Sequence, residues 1–173
     1  MRRIIRRREL VTDDARYGGE PAAPGTRPVQ PVGEFIAALG AGQAIAAGQA
    51  RAAAAIGGAS AVLLAPTDEV EALAPHLGLL ELIVVEFPRI GEGRGFSQAR
   101  LLRQRYGYAG ELRARGALKR DQLFFLARCG FDSFDLDPGE DLQAALGALD
   151  TFSVAYQEGS DELVHVQRRV KPA

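Results

Sequence analysis

Cysteine is nearly absent: Cys129 stands alone among 173 residues. This excludes an intramolecular disulfide and any zinc or iron–sulfur site built on cysteines. Tryptophan is missing altogether, and His76 and His165, the two histidines, have no ligand-type neighbour in sequence, so no metal centre is expected. Long apolar runs are missing too. The alanine-rich stretch from Ala37 to Ala65 is interrupted by Gln43, Gln49, Arg51 and five glycines, and it reads as a soluble helix leading into a strand, with no membrane contact. Neither sign of charge is in surplus: 21 basic and 22 acidic residues give a net charge of −1, so nothing global draws nucleic acid or anionic lipid. The start is locally basic, with Arg2, Arg3, Arg6, Arg7 and Arg8, but no apolar h-region follows as a secretory signal requires. It reads as a solvated edge strand or arm. Without an export signal or paired cysteines, the cytoplasm is the expected compartment.

What is present suits one domain with a sizeable core, at 47% hydrophobic and 25% charged residues. Residues 1–31 read as an N-terminal arm followed by a linker. The Pro/Gly-rich piece from Gly18 to Pro31 is expected to resist regular structure. Residues 32–158 read as the α/β domain and 159–173 as a C-terminal strand or tail. A first helix is expected over about 34–55. Strands are expected at 61–65, 81–87, 111–115 and 132–136, each followed by a helical pattern, which is the signature of a mostly parallel sheet of about four βα units. Either a half-barrel or an open doubly wound sheet satisfies that pattern. Asp68 with Glu71 has the spacing of a capping box, and Ser97 the place of a helix start. Over about 118–129 an apolar stripe of Leu118, Phe125, Leu126 and Cys129 takes in Gln122. Over about 141–150 Leu142, Ala145, Leu146 and Leu149 form another. Cys129 reads as a small buried hydrophobe.

Ligands of parallel α/β sheets bind beyond the carboxyl ends of the strands, which directs attention to the segment from Glu86 to Phe134, where nine arginines and a lysine fall among glycines and aromatics. The loop Gly91-Glu92-Gly93-Arg94-Gly95, with Ser97 behind it, can turn backbone N–H groups toward an anion, with Arg94 as counter-charge. It has neither the Walker A nor the dinucleotide spacing. Arg113 and Arg115 alternate along a strand and leave its same side. Buried arginines need carboxylates, and Glu86 and Asp135 are the first candidates, with Glu111 beside them. Gly93, Arg94, Gly95, Ser97, Arg113 and Arg115 therefore form a candidate site for a small oxyanion. A structural salt-bridge layer or a homo-oligomer contact is the competing use of the two strand arginines. Asp121 and Gln122 open the following helix and are read as supporting residues. Arg100, Arg103 and Arg105 project from the preceding helix. No catalytic motif is legible, no cofactor is evident, and an enzymatic role stays open.

The blocks GRGFSQARLLR, GELRARG and RDQLFFLARCGFD resemble the bacterial domain of unknown function 934 family, with the main match over about 86–136 and weaker similarity at 61–80 and 152–157. The genes of that family typically lie beside those of sulfite reductase, and its members are often labelled oxidoreductases involved in sulfite reduction. Two departures stand out: Glu92 takes the place of the family's usual aspartate, and the tryptophans frequent in its N-terminal third are absent. The resemblance implies an accessory protein of assimilatory sulfite reduction that binds sulfite reductase or its electron donor, with Arg100, Arg103 and Arg105 as the partner-facing surface. A small-oxyanion-binding protein or enzyme and a purely structural subunit are the alternatives.

Overall fold

The structure, a computed structural model, describes residues 2–18, 25–40, 61–151 and 159–160. Strands run over Arg3–Arg6 (β1), Glu9–Thr12 (β2), Ala15–Arg16 (β3), Arg27–Pro31 (β4), Ala61–Leu64 (β5), Leu82–Phe87 (β6), Glu111–Gly116 (β7) and Ser133–Asp135 (β8). The α-helices are Val32–Gly40 (α1), Arg94–Arg100 (α2, continued by a π-helical turn Leu101–Arg105), Leu123–Arg128 (α3) and Leu142–Ala148 (α4). The sheet order is β2-β1-β8-β7-β6-β5-β4-β3. β3 through β8 pair in parallel, and the β1–β2 hairpin joins β8 antiparallel. This is the single-domain, mostly parallel α/β fold expected from the sequence.

Connectivity shows that the sheet is curled. Laid flat, eight strands would hold β2 and β3 about 34 Å apart at about 4.8 Å per interval. Yet only Asp13 and Asp14 separate Thr12 from Ala15, a link that reaches no more than about 11 Å. The N–H of Asp13 donates to the carbonyl of Arg2, the residue before β1, at 2.8 Å, and the Asp14 carbonyl accepts from the Arg27 N–H of β4 at 2.7 Å. The chain thus steps from one end of the sheet to the other, and the two ends meet there.

Side chains then sort by alternation. Ile5, Val62, Leu64, Ile83, Val85, Phe87, Leu112, Ala114 and Phe134 face outward and share one core with Phe35 of α1, Ala99 of α2, Leu126 of α3 and Ala145 of α4. A smaller inner cluster holds Ala15, Tyr17, Val29, Ala61, Leu82 and Val84. Among the described residues the α-helices pack on the outer face, as in a half-barrel, whereas a doubly wound sheet would have helices on both.

Several local expectations are corrected. Arg27–Pro31 is a strand, although it lies within the piece expected to be irregular. Pro28 and Pro31 sit in the next-to-last strand, whose outer neighbour pairs over only two residues, an edge-like place that tolerates proline. No capping box forms at Asp68. Its carboxylate accepts instead from the Ala65 N–H at 2.8 Å, and two 3-10 segments, Val70–Ala72 and Ala74–Leu79, follow. Pro75 in the second of these breaks an α-helical ladder. Helix α2 starts at Arg94, so Ser97 lies exposed within its first turns. Phe125 is 56% exposed and outside the apolar stripe, while Leu118, Leu126 and Cys129 are buried in it. The helix expected over 34–55 is seen as far as Gly40. Its remainder, the 152–157 match and, beyond Ser160, the C-terminal strand or tail expected over 159–173 lie outside the described residues.

Candidate functional site

The inner face of the curled sheet is half apolar and half ionic. On β7, Glu111, Arg113 and Arg115 share that face. Arg113 and Arg115 stand in register with Ser133 and Asp135 of β8, and Arg115 also with Glu86 of β6. Arg113 is completely buried. Its guanidinium meets Asp13 at 2.6 Å and Glu111 at 2.7 Å and donates to the Tyr17 hydroxyl at 3.4 Å. Glu111 accepts in addition from the Ser133 hydroxyl at 2.7 Å and pairs with Arg6 at 3.2 Å. Asp13 also holds Arg2 at 2.7 Å, and Asp14 holds Arg6 at 2.9 Å and Arg27 at 3.2 Å. Cations and anions so alternate around the seam where the sheet ends meet, each carboxylate shared between strands.

Burial alone would drive the Arg113 pKa down; the facing oxygens of Tyr17, Asp13 and Glu111 outweigh it and hold the group above its ordinary value. Glu111 is likewise held below the usual carboxylate range, because Arg113 and the Ser133 hydroxyl overcome its desolvation. All three nitrogens of the Arg113 guanidinium are engaged by the protein, and none of it reaches the surface. It belongs to the structural layer.

Arg115 differs. It lies at the carboxyl end of β7, with its Nε on Asp135 at 3.1 Å and its guanidinium carbon 3.5 Å from the centroid of the Tyr17 ring. Stacking and the Nε contact fix the plane of the group. Among the described residues, neither Nη atom has a partner. Two cavities meet at this side chain. One, of about 560 Å³, is lined by Arg2, Arg3, Glu86, Arg115, Asp135 and Gly116 among others. The other, of about 530 Å³, is lined by Arg16, Tyr17, Gln30, Glu34 and Arg115. Desolvation raises the Asp135 pKa, against the pull of Arg2 and Arg115. Asp137 and Glu140, on the rim of the first cavity, are both engaged by Lys119, at 2.9 and 3.2 Å. The geometry therefore presents a fixed guanidinium edge at the mouth of the sheet, with two directional donors.

The remaining sequence candidates are dispersed. Gly93 and Gly95 flank Arg94 at the start of α2, and Gly95 packs so closely on the Phe87 ring that an added Cβ would lie 2.5 Å from it. The anion position of this loop is occupied by the protein itself. The buried Glu92 accepts from the Arg94 Nε at 2.9 Å and from its backbone N–H at 3.3 Å, and this hydrogen bonding lowers the Glu92 pKa. No hydrogen bond or ion pair among the described residues joins Arg94 or Ser97 to Arg113 or Arg115. Asp121 is exposed, and the Gln122 side chain accepts from the Lys119 N–H at 3.0 Å.

Arg100 and Arg105 are exposed. Arg103 turns inward, where it donates to the carbonyls of Gly130 at 2.8 Å and Gly110 at 2.9 Å and pairs with Asp132. Asp13, Asp14, Tyr17 and Ser133 escaped the sequence reading. The adjacent aspartates between two short β-like runs were the signal that could have found the seam.

A family model described as a bacterial protein of unknown function, DUF934, matches residues 61–166. That range takes in β5 to β8 and α2 to α4, while β1 to β4 precede it. No curated protein matches the chain.

Proposed function

The chain belongs to the DUF934 family of bacterial proteins, and from that premise we propose that it is a small-oxyanion-binding accessory protein of assimilatory sulfite reduction in the cytoplasm. The observation that carries the binding part is the fixed, half-buried Arg115 with its Nη edge open to two cavities. A guanidinium edge of this kind matches two oxygens of sulfite or sulfate at once. The pathway rests on the family resemblance.

Thermal unfolding tests the site. At sulfite tenfold above Kd, the stabilisation of RT ln(1 + [L]/Kd) is about 1.4 kcal/mol, a Tm rise of about 3–6 °C for a chain of this size. Arg115→Gln should abolish the rise yet fold, because Asp135 keeps Arg2 at 3.5 Å. An unchanged Tm of the native protein in millimolar sulfite, at constant ionic strength, would remove the proposal.

The exposed Arg100 and Arg105 favour a second reading, docking on sulfite reductase or its electron donor. Arginines suit polar interfaces with acidic partners. Binding of purified reductase at low salt should fall on the order of tenfold in the Arg100→Glu/Arg105→Glu variant and weaken as salt is raised. Equal binding by both forms rejects this surface.

A further inference from the structure

At the opposite, amino-terminal end of the strands lies a feature that the oxyanion reading leaves unused. β1 and β2 are joined by two residues, Arg7 and Arg8, with φ of 47° and 65°. A two-residue hairpin with both central φ positive is the turn that strongly prefers Asn-Gly, and each L-residue held in this region is strained. Nothing in the stability of the hairpin asks for arginine here. Arg8 pairs with Asp150, but both side chains are largely exposed, at 56% and 73%, and such a pair contributes little. The Arg7 guanidinium makes no hydrogen bond or ion pair among the described residues.

Both arginines line one cavity of about 760 Å³, whose floor includes Phe131, Phe134 and Leu149. Arg103 and Asp132 are also at its wall, but they neutralise each other, and the Asp132 carboxylate accepts from the Leu112 N–H as well. The backbone N–H of Arg7 donates to the Asp132 carbonyl at 2.9 Å, which holds the strained turn against this wall. The charge offered to the cavity is therefore that of Arg7 and, when its weak solvent-exposed pair with Asp150 opens, of Arg8, set over an apolar floor. The volume is that of a small-organic-ligand site.

We propose that this cavity binds a small amphipathic anion, a carboxylate, sulfonate or phosphate carried on an aromatic or aliphatic body, with Arg7 and Arg8 receiving the anionic group. An inorganic ion would make no use of the floor, and a neutral apolar molecule would make none of the arginines. The strain of the turn is then the cost of placing two cations where Asn-Gly would be more stable.

Calorimetric titration with 1-anilinonaphthalene-8-sulfonate, paired with thermal unfolding, tests this. Three proteins are compared: the native chain, Arg7→Asn/Arg8→Gly, and Ala127→Phe, which fills the cavity from its wall. Saturable one-to-one binding is expected in the native chain. The hairpin variant should lose about tenfold or more in affinity while its Tm holds or rises, because the turn is relieved. The filled variant should lose binding with both arginines present. Absent or non-saturable binding by the native chain overturns the proposal, as does equal affinity in the hairpin variant. Displacement by inorganic sulfate at the same concentration as by naphthalene sulfonate also overturns it, since the floor would then play no part. A fall of the hairpin variant's Tm by several degrees would show that the arginines serve stability instead.

Discussion

Arg113→Met should destabilise the protein by about 3 kcal/mol, measured by urea unfolding. Breaking a buried ion pair costs about 3–5 kcal/mol because the remaining partner stays charged in a poorly hydrated place. The lower end applies here, since Asp13 keeps Arg2 and Glu111 keeps Arg6. Methionine fills the volume but donates nothing to Asp13, Glu111 or the Tyr17 hydroxyl, so the acids are left under-compensated, with Asp13 only 1% exposed. Adding Asp13→Asn and Glu111→Gln to the same chain removes the stranded charge and should recover part of the loss. A cost below about 1 kcal/mol for Arg113→Met would mean that the alternating charges at the seam are interchangeable rather than individually required.

Gly116→Ala should cost a similar amount, about 3–5 kcal/mol, seen as a Tm lower by on the order of 10 °C. Gly116 ends β7 with φ of +126°, and an ideal Cβ built there overlaps the carbonyl of Phe87 in β6. That carbonyl cannot retreat, because it also accepts from the Ala117 N–H at 2.8 Å. Two penalties therefore add, an unfavourable backbone region and a collision with main chain. Gly139 provides the control. Its φ is +107°, but nothing lies within 4 Å of an added Cβ, so Gly139→Ala should cost only about 1–2 kcal/mol. Equal losses at the two positions would show that the collision at Gly116 is relieved by a small shift. Because Gly116 adjoins Arg115, any such shift should also appear as a weaker Tm response to sulfite.

The parallel core was legible because burial leaves a strong trace. β5 through β8 fall within a residue or so of the strands read from the sequence: β5 and β6 as runs of Val, Ile and Leu among apolar neighbours, β7 and β8 as short runs in which apolar residues alternate with charged or polar ones. The pairing of Arg115 with Asp135 was also legible, because charged residues facing the same side of neighbouring strands call for compensation, but Glu86, expected beside it, makes no ion pair with either arginine among the described residues. Arg113 shows where this reasoning stops. Its partners are Glu111 on its own strand and Asp13, a hundred residues away, and no local pattern announces a contact that depends on the sheet curling until its ends touch. β4 escaped because prolines read as breakers wherever the neighbouring ladder is out of sight. Arg103 was misplaced for a related reason. A solvated helix face and a guanidinium bent under the helix to hold three carbonyls have the same spacing in sequence.

The meeting of the sheet ends at Asp13 and Asp14 also bears on the order in which the molecule can assemble. β1 leaves the ribosome long before its partner outside the hairpin, Ser133–Asp135, which follows the other seven strands in chain order. Until then Ile4 and Ile5, fully buried in the finished protein, have no wall to lie against. Asp13 waits 100 residues for Arg113. Pairings of such sequence separation slow folding and leave apolar edges open meanwhile. The basic start, Arg2 through Arg8, keeps that waiting hairpin charged, as gatekeeper residues do beside an unpaired strand. The same arginines thus guard the nascent chain before Arg2 and Arg6 become the bolts of the seam.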